Sequence, residues 1–416
     1  FSKHTHSNTM ADFHQNGSIA TLHKLTDRPI EEMEAELTEF SKRRPMALIL
    51  PSLFSELQGE ALPNIVNELK KVPYLGEITI GLDRATEDEY RHALKFFDGL
   101  PQQHRVLWND GPRLKALDAE LKEHGLAPTE LGKGRNVWYC LGYTLARDQA
   151  EAIALHDCDI TTYDRGLLAR LIYPMAHPNF SYQYAKGYYP RVAEGKLNGR
   201  VTRLLVTPLL RSLEQVLGPN DYLTFLDGFR YPLAGEFSFR RNVIPDIRLP
   251  SDWGLEVGIL SEMYRNYSAN KVCQVDIADR YDHKHQIVSA EDKTKGLSKM
   301  SIDICKLIFR KLATEGQVLN KPLFRAVKAA YFRNALDFVE RYKNDAVMNG
   351  LSVDVHAEED AVELFAQNII EAGKTYLDSP MERPFIPSWN RVISAVPDIF
   401  PRLVEAVEAD QAEFSK

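Results

Sequence analysis

Asp157-Cys158-Asp159 follows the apolar run AIAL at residues 152–155, and that placement makes it the most informative triplet in the chain. Alternate side chains of an extended segment share one face, so the two carboxylates converge while the cysteine between them turns away. Hard divalent cations such as Mg2+ and Mn2+ take oxygen ligands and keep positions open for a diphosphate, so the pair suits a metal-bound nucleotide-sugar. The same triplet also serves as a surface turn or a cap. His283-Lys284-His285 is a second source of ligands. Extended, it sets two imidazoles together, one of which completes a site opened by Asp159; the alternative is a solvated loop, as polar as residues 279–282 before it. A structural zinc site built on Cys158 fits poorly, because one thiolate flanked by two carboxylates is not structural zinc chemistry.

Gly132-Lys133-Gly134-Arg135 precedes a helix expected from Asn136, where free backbone N–H groups and two cations suit phosphate oxygens. A plain glycine turn with solvated cations reads equally well, and no P-loop pattern is present. Gly199-Arg200-Val201-Thr202 combines a guanidinium and a hydroxyl suited to a phosphate or carboxylate, or starts a helix with a threonine cap. Glu256, in Trp253-Gly254-Leu255-Glu256, sits among apolar residues; it either bonds a sugar hydroxyl or is a buried carboxylate satisfied by backbone donors.

The elements that position these residues follow from hydrophobic pattern. MALIL at 46–50 is a continuous apolar run ending at Pro51, as expected of a strand buried on both faces. EITIGL at 77–82, residues 105–108 and AIAL supply further strands, with helical stretches between them, so the expected fold is an open, mostly parallel sheet with ligands beyond its carboxyl edge. Pro51, Asp83 and Asp157 all fall there. After Ser298 the composition turns helical. The stripe Phe324, Val327, Tyr331, Ala335, Phe338 and Tyr342 is too wide to leave in water, so it packs on the core or on a second subunit.

Length and composition bound the function. At 416 residues with 44% hydrophobic and 26% charged side chains, the chain folds around a substantial core. Fifty-one Lys+Arg against 58 Asp+Glu gives a net charge of −7, which excludes nucleic acid or anionic lipid as a partner bound by overall charge. The four scattered cysteines suggest a reducing cytoplasm, and no apolar run reaches the roughly 18–20 residues that span a bilayer. Residues 1–19 read as a disordered or cloning-derived leader. Residues 20–298 then form the α/β domain, with its nucleotide-sugar half at about 40–160 and its acceptor half at about 161–298, followed by a helical region at 299–416.

Taken in order, these pieces resemble the glucosyl-3-phosphoglycerate synthase family, retaining glycosyltransferases with a GT-A-type nucleotide-sugar fold. The resemblance spans about Met46 to Gln286 and rests on seven ordered blocks: LILPSLFSE, GKGR, the DxD, GRVTRLLVTPLL, YPLAGEFSFRR, DWGLEVGIL and QVDIADRYDHKHQ. It implies that Pro51, Ser52, Leu53 and Glu56 border the uridine, that Asp83 lines the base pocket, and that Lys133 approaches the nucleotide. By the same carry-over Asp159 and His283 bind Mg2+ or Mn2+, with Asp157 beside the nucleotide. Gly199, Arg200 and Thr202 take the phosphoglycerate, and His285 stands where the family commonly places an asparagine near the acceptor. Glu256 contacts the transferred glucose or the attacking hydroxyl. The implied reaction moves glucose from UDP-glucose, or from GDP-glucose, to 3-phosphoglycerate. Mannose or a related glycerate is the alternative pair. A non-catalytic nucleotide-sugar scaffold is the rival class; sugar-nucleotide pyrophosphorylases are disfavoured because PSLF stands where they need a glycine-rich loop. A homodimer is expected from the apolar helical stripes.

Overall fold

The structure is a computed structural model and describes residues 15, 17–283, 290–380 and 385–416. Its main sheet has eight strands: β1 (Ala20–Leu22), β2 (Met46–Leu53), β3 (Leu75–Asp83), β4 (Gln103–Trp108), β5 (Ala152–Leu155), β6 (Tyr184–Tyr188), β7 (Phe237–Arg240) and β8 (Val272–Asp276). They lie in the order β1-β8-β6-β7-β5-β2-β3-β4. Every pairing is parallel except those of β7, which runs antiparallel to β5 and β6. The open, mostly parallel sheet expected from the apolar runs is therefore present.

One expectation needs correcting. Strand β2 does not end at Pro51 but continues to Leu53, pairing Pro51 with Gly81 and Leu53 with Asp83. Strand β5 accompanies β2 only from Met46 to Ile49, so the proline falls where the ladder on that side has already stopped. Beyond Ile49 and Leu155 the two strands are no longer paired.

The longer helices are, in chain order, α1 (Ile30–Ser41), α2 (Ala61–Leu69), α3 (Glu87–Phe97), α4 (Pro112–Glu123), α5 (Lys133–Arg147), α6 (Arg165–Ala176), α7 (Thr207–Leu217), α8 (Leu255–Asn266), α9 (Ala290–Thr314), α10 (Lys321–Met348), α11 (Val355–Asp378) and α12 (Ile399–Phe414). Period-two alternation sorts β2 between two cores. Leu48 and Leu50 join α1, α2, α3 and α6 on one face, while Ala47 and Ile49 join α5 on the other. The second core is continuous with α9 to α12. Gly81 lets α5 approach the sheet, since a Cβ there would lie 1.9 Å from Asn136 Oδ1 and 2.5 Å from Cys140 Sγ.

The stripe on α10 is covered within the chain. Phe324, Val327, Tyr331 and Ala335 are buried, against α7 and α11. Trp389 stacks on Trp138 with ring centroids 4.0 Å apart, and residues 385–386 pair with 249–250, so the C-terminal segment is knitted to α5 and its surroundings. Among the described residues no helix is long and apolar enough to cross a membrane.

Candidate active site at the carboxyl edge of the sheet

Past the end of β5 the chain keeps its alternation. His156, Cys158 and Ile160 are buried, while Asp157 and Asp159 are partly exposed on the other side. His156 is fixed by short contacts to the Asp157 carbonyl, 2.9 Å, and the Tyr163 hydroxyl, 3.1 Å; burial pulls its pKa down to about 4, so it stays neutral. Burial likewise pushes the Cys158 thiol well up, which leaves it an inert packing residue.

The segment beyond β8 returns to this strand end. Thr161 N donates to Asp282 O at 3.0 Å, Asp282 N donates to Thr162 Oγ1 at 3.1 Å, and Ile160 and His283 form an isolated bridge. This backbone pairing brings His283 Nδ1 to 3.9 Å from Asp159 Oδ2, each side chain about one-third exposed. Burial first, and then the charges of Asp157 and Glu56, raise the Asp159 carboxyl well above the usual carboxylate range. Carboxylates crowded together beside an imidazole, with Lys133 offsetting them only in part, fit a divalent cation. Among the described residues no group of three or more ligating side chains is assembled in advance. Two protein ligands, with the rest supplied by diphosphate and water, is the pattern magnesium-type sites use.

Asp157 has a different neighbour. Its Oδ1 lies 2.7 Å from Lys133 Nζ, which also meets Glu256 Oε1 at 3.0 Å. Burial opposes the Lys133 charge, but the two carboxylates outweigh it and hold the ammonium well above its ordinary pKa. Gly235 makes the pairing possible: a Cβ there would sit 2.4 Å from Asp157 Oδ2 and 3.1 Å from Lys133 Nζ. Lys133 is itself the first residue of α5, so the helix begins earlier than the expected Asn136. Gly132 caps it at φ +151°, and Gly134 lets Pro250 O come within 2.2 Å of where its Cβ would be. Arg135 is no free phosphate ligand. Its guanidinium is buried and donates to Asn109 O at 3.1 Å, near Asp83 and Asp110.

On the β2–β3 side, Pro51, Ser52 and Leu53 lie in register with Gly81, Leu82 and Asp83, so these expected donor residues share one rim. Ser52 Oγ donates to Leu53 O at 3.0 Å. Asp83 is buried, its pKa raised by that burial, with Asn109 Nδ2 at 3.4 Å. Glu56 follows in the next short helix, half-buried and near enough to Asp159 to act on its charge.

On the opposite side, Gly199 adopts φ +78° and Arg200 is exposed. Thr202 is buried with its Oγ1 lacking a hydrogen-bond partner among the described residues, and it opens a π-helical turn, Thr202–Val206. Arg191 joins this group to the aspartate–histidine pair: Nη1 donates to Tyr231 Oη at 3.1 Å and Nη2 reaches His283 Nε2 at 2.7 Å. Tyr231 in turn borders Gly199. His285 lies outside the described residues.

Sequence reasoning missed Arg191 and the polar floor of the site. Glu236 is fully buried, accepting from Tyr189 Oη at 2.5 Å and Tyr281 Oη at 2.6 Å; burial and the charge of Asp157 push it up to about 7. Lys186, also buried, donates to Ala234 O at 2.6 Å, and burial lowers its pKa to about 8. The only advance signal was the YPLAGEFSFRR block, which contains Glu236.

No family model matches the chain. A curated glucosyl-3-phosphoglycerate synthase of Persephonella marina is 46% identical over 404 residues, covering 97% of this chain and 100% of that protein. One from Methanococcoides burtonii is 37% identical over 409 residues, covering 97% and 99%. Among solved structures, glucosyl-3-phosphoglycerate synthase from Mycobacterium tuberculosis in complex with Mn2+, UDP-glucose and phosphoglyceric acid superposes with a TM-score of 0.52 at 19% identity, over 70% of this chain and 87% of that one. The same protein is also known with Mg2+ and UDP, at a TM-score of 0.51, 19% identity and coverage of 70% and 86%.

Proposed function

Because the chain belongs to the glucosyl-3-phosphoglycerate synthase family, we propose that it transfers glucose from a nucleotide-diphosphate glucose to the 2-hydroxyl of 3-phosphoglycerate, with anomeric retention. UDP-glucose stands ahead of GDP-glucose as donor. The observation that carries this reading is the meeting of Asp159 with His283 beside the Asp157–Lys133–Glu256 chain. Asp159 and His283 would hold Mg2+ or Mn2+, which when bound neutralises charge growing on the departing diphosphate.

The remaining roles belong to the chain itself. Pro51, Ser52, Leu53 and Glu56 border the uridine and its ribose, Asp83 lines the base pocket, and Asp157 lies beside the nucleotide. Lys133 bridges Asp157 and Glu256 and holds both carboxylates in fixed positions, so neither swings away when ligands enter. Glu256 faces the transferred sugar or the attacking hydroxyl and orients it. Its carboxylate is already engaged by an ammonium, which suits hydrogen bonding better than covalent attack. The acceptor's proton then goes to the leaving phosphate oxygen during same-face displacement. Gly199, Arg200 and Thr202 bind the phosphoglycerate, with the exposed Arg200 guanidinium meeting its charge.

A cytoplasmic location and a homodimer belong to the same proposal. Among the described residues all four cysteines are free and buried, as a reducing compartment favours. Four residues of the α10 stripe are buried within one chain while Phe338 and Tyr342 are half-buried; light scattering decides whether a dimer exists.

The test is a matrix of UDP- and GDP-sugars against 3-phosphoglycerate and glycerate, with Mg2+ or Mn2+, scored by released nucleotide. Turnover with UDP-glucose and 3-phosphoglycerate is expected to exceed every other pairing. Asp159→Ala should lose about two orders of magnitude of metal-dependent turnover at unchanged melting temperature. Undiminished transfer in that variant overturns the site assignment.

A further inference from the structure

The turn that carries Arg200 is held locally by Asn198 N, which donates to Arg191 O at 2.7 Å. It follows a two-residue hairpin, Val192–Ala193 with Lys196–Leu197, and has positive φ at Glu194, Gly195 and Gly199. The C-terminal helices add a second set of contacts. The buried Arg203 guanidinium makes a two-pronged contact with Glu358 on α11, Nη1 to Oε2 at 2.9 Å and Nη2 to Oε1 at 3.0 Å. The same guanidinium donates through Nε to Asn198 O at 2.8 Å, directly before Gly199, and lies 4.9 Å over the Tyr342 ring of α10. Arg203 N also donates to Gly199 O at 3.1 Å. On the flanks, Ser352 N donates to Gly195 O at 2.9 Å and Tyr331 Oη to Leu204 O at 2.5 Å.

We propose that Glu358 is a positioning residue for the acceptor, acting through Arg203 to fix the Gly199–Thr202 turn from the C-terminal helical region. A buried ion pair contributes little net stability, because desolvation cancels most of its attraction; its use lies in fixing one geometry. Here the geometry fixed is a loop whose exposed Arg200 guanidinium must meet the acceptor's anion, and displacements near 1 Å suffice to spoil such binding. The inference rests on the reading of Gly199, Arg200 and Thr202 as the acceptor pocket.

The experiment compares Glu358→Gln, Glu358→Asp, Tyr342→Leu and Arg200→Ala in the full chain. For each, KM and kcat are measured for 3-phosphoglycerate and for UDP-glucose, together with melting temperature. Glu358→Gln is expected to raise the acceptor KM about 10-fold or more, with donor KM unchanged. Glu358→Asp should recover part of the loss. Tyr342→Leu removes only the ring beneath the guanidinium and should move the acceptor KM the same way, less far; it provides the readout if Glu358→Gln does not fold. If Arg200→Ala weakens the acceptor but neither Glu358→Gln nor Tyr342→Leu does, positioning by Glu358 is refuted and the pocket stands. Equal losses for donor and acceptor also refute it. If Arg200→Ala leaves acceptor use intact, the pocket reading itself falls.

Discussion

Asp252 opens the loop that delivers Glu256 to the site, and its surroundings disfavour its charge. Burial and the nearby Asp303 push its carboxyl from 3.8 up to about 6, while its Oδ1 accepts from Gly254 N at 2.8 Å. The unfolded chain releases this proton near 3.8 and the folded chain near 6. The cost to stability is therefore absent below the lower value, grows between the two and is complete above the higher. Asp252→Asn keeps an oxygen acceptor for the Gly254 N–H and removes the charge. Its melting-temperature advantage over wild type should widen from about pH 4 to about pH 6.5 and then level off, as read by calorimetry across pH. An advantage that shrinks as pH rises would contradict the assignment. At this scale the sequence was uneven. The exposure of Asp157 and Asp159 on one side was legible, because alternation depends on adjacent residues alone. Arg191 and Glu236 were not, because Arg191 acquires meaning only when the segment after β8 brings His283 to it, and Glu236 only between two tyrosines from separate segments.

Helix α5 shows what an element must do to bring its first turn to the sheet edge. It crosses β3 at Gly81 and meets Pro250 at Gly134 and Trp389 at Gly142, where a Cβ would lie 2.1 Å from the indole. Gly81→Ala places a methyl against Asn136 and Cys140, both buried and unable to yield freely, so about 1–3 kcal/mol of stability should be lost. Urea unfolding measures it; a change within error would mean that α5 can shift outward at little cost. Strands β2, β3 and β5 were readable from their apolar runs, but the length of β2 past Pro51 was not, since it depends on where β5 stops. The start of α5 was misplaced because its two glycines suggested a turn, whereas Gly132 caps the helix at positive φ and Gly134 serves close packing.

The whole molecule shares its larger core between the sheet and the C-terminal helices. Ala47, Ile49, Val137 and Leu141 belong to one buried cluster with Phe309, Tyr331, Phe365 and Val407. Helix α12 runs against β4, α4 and α5, with Arg105 bonding Glu408 through Nε at 2.9 Å and Nη2 at 3.0 Å. Deleting residues 399–416 should therefore leave a chain without a cooperative thermal transition, rather than a folded catalytic unit. A truncated chain that melts like the parent would overturn this. Helical periodicity announced that these elements exist; which surface each one covers depends on contacts distant in sequence, and no local pattern records those.

Phe414 completes an aromatic cluster with Tyr90 and Trp108, its ring 5.3 Å from the indole. During synthesis from the amino end, strands β3 and β4 are therefore made long before their last packing partner leaves the ribosome. The nascent sheet waits with bare apolar surface, a period in which it is open to aggregation and to capture by chaperones.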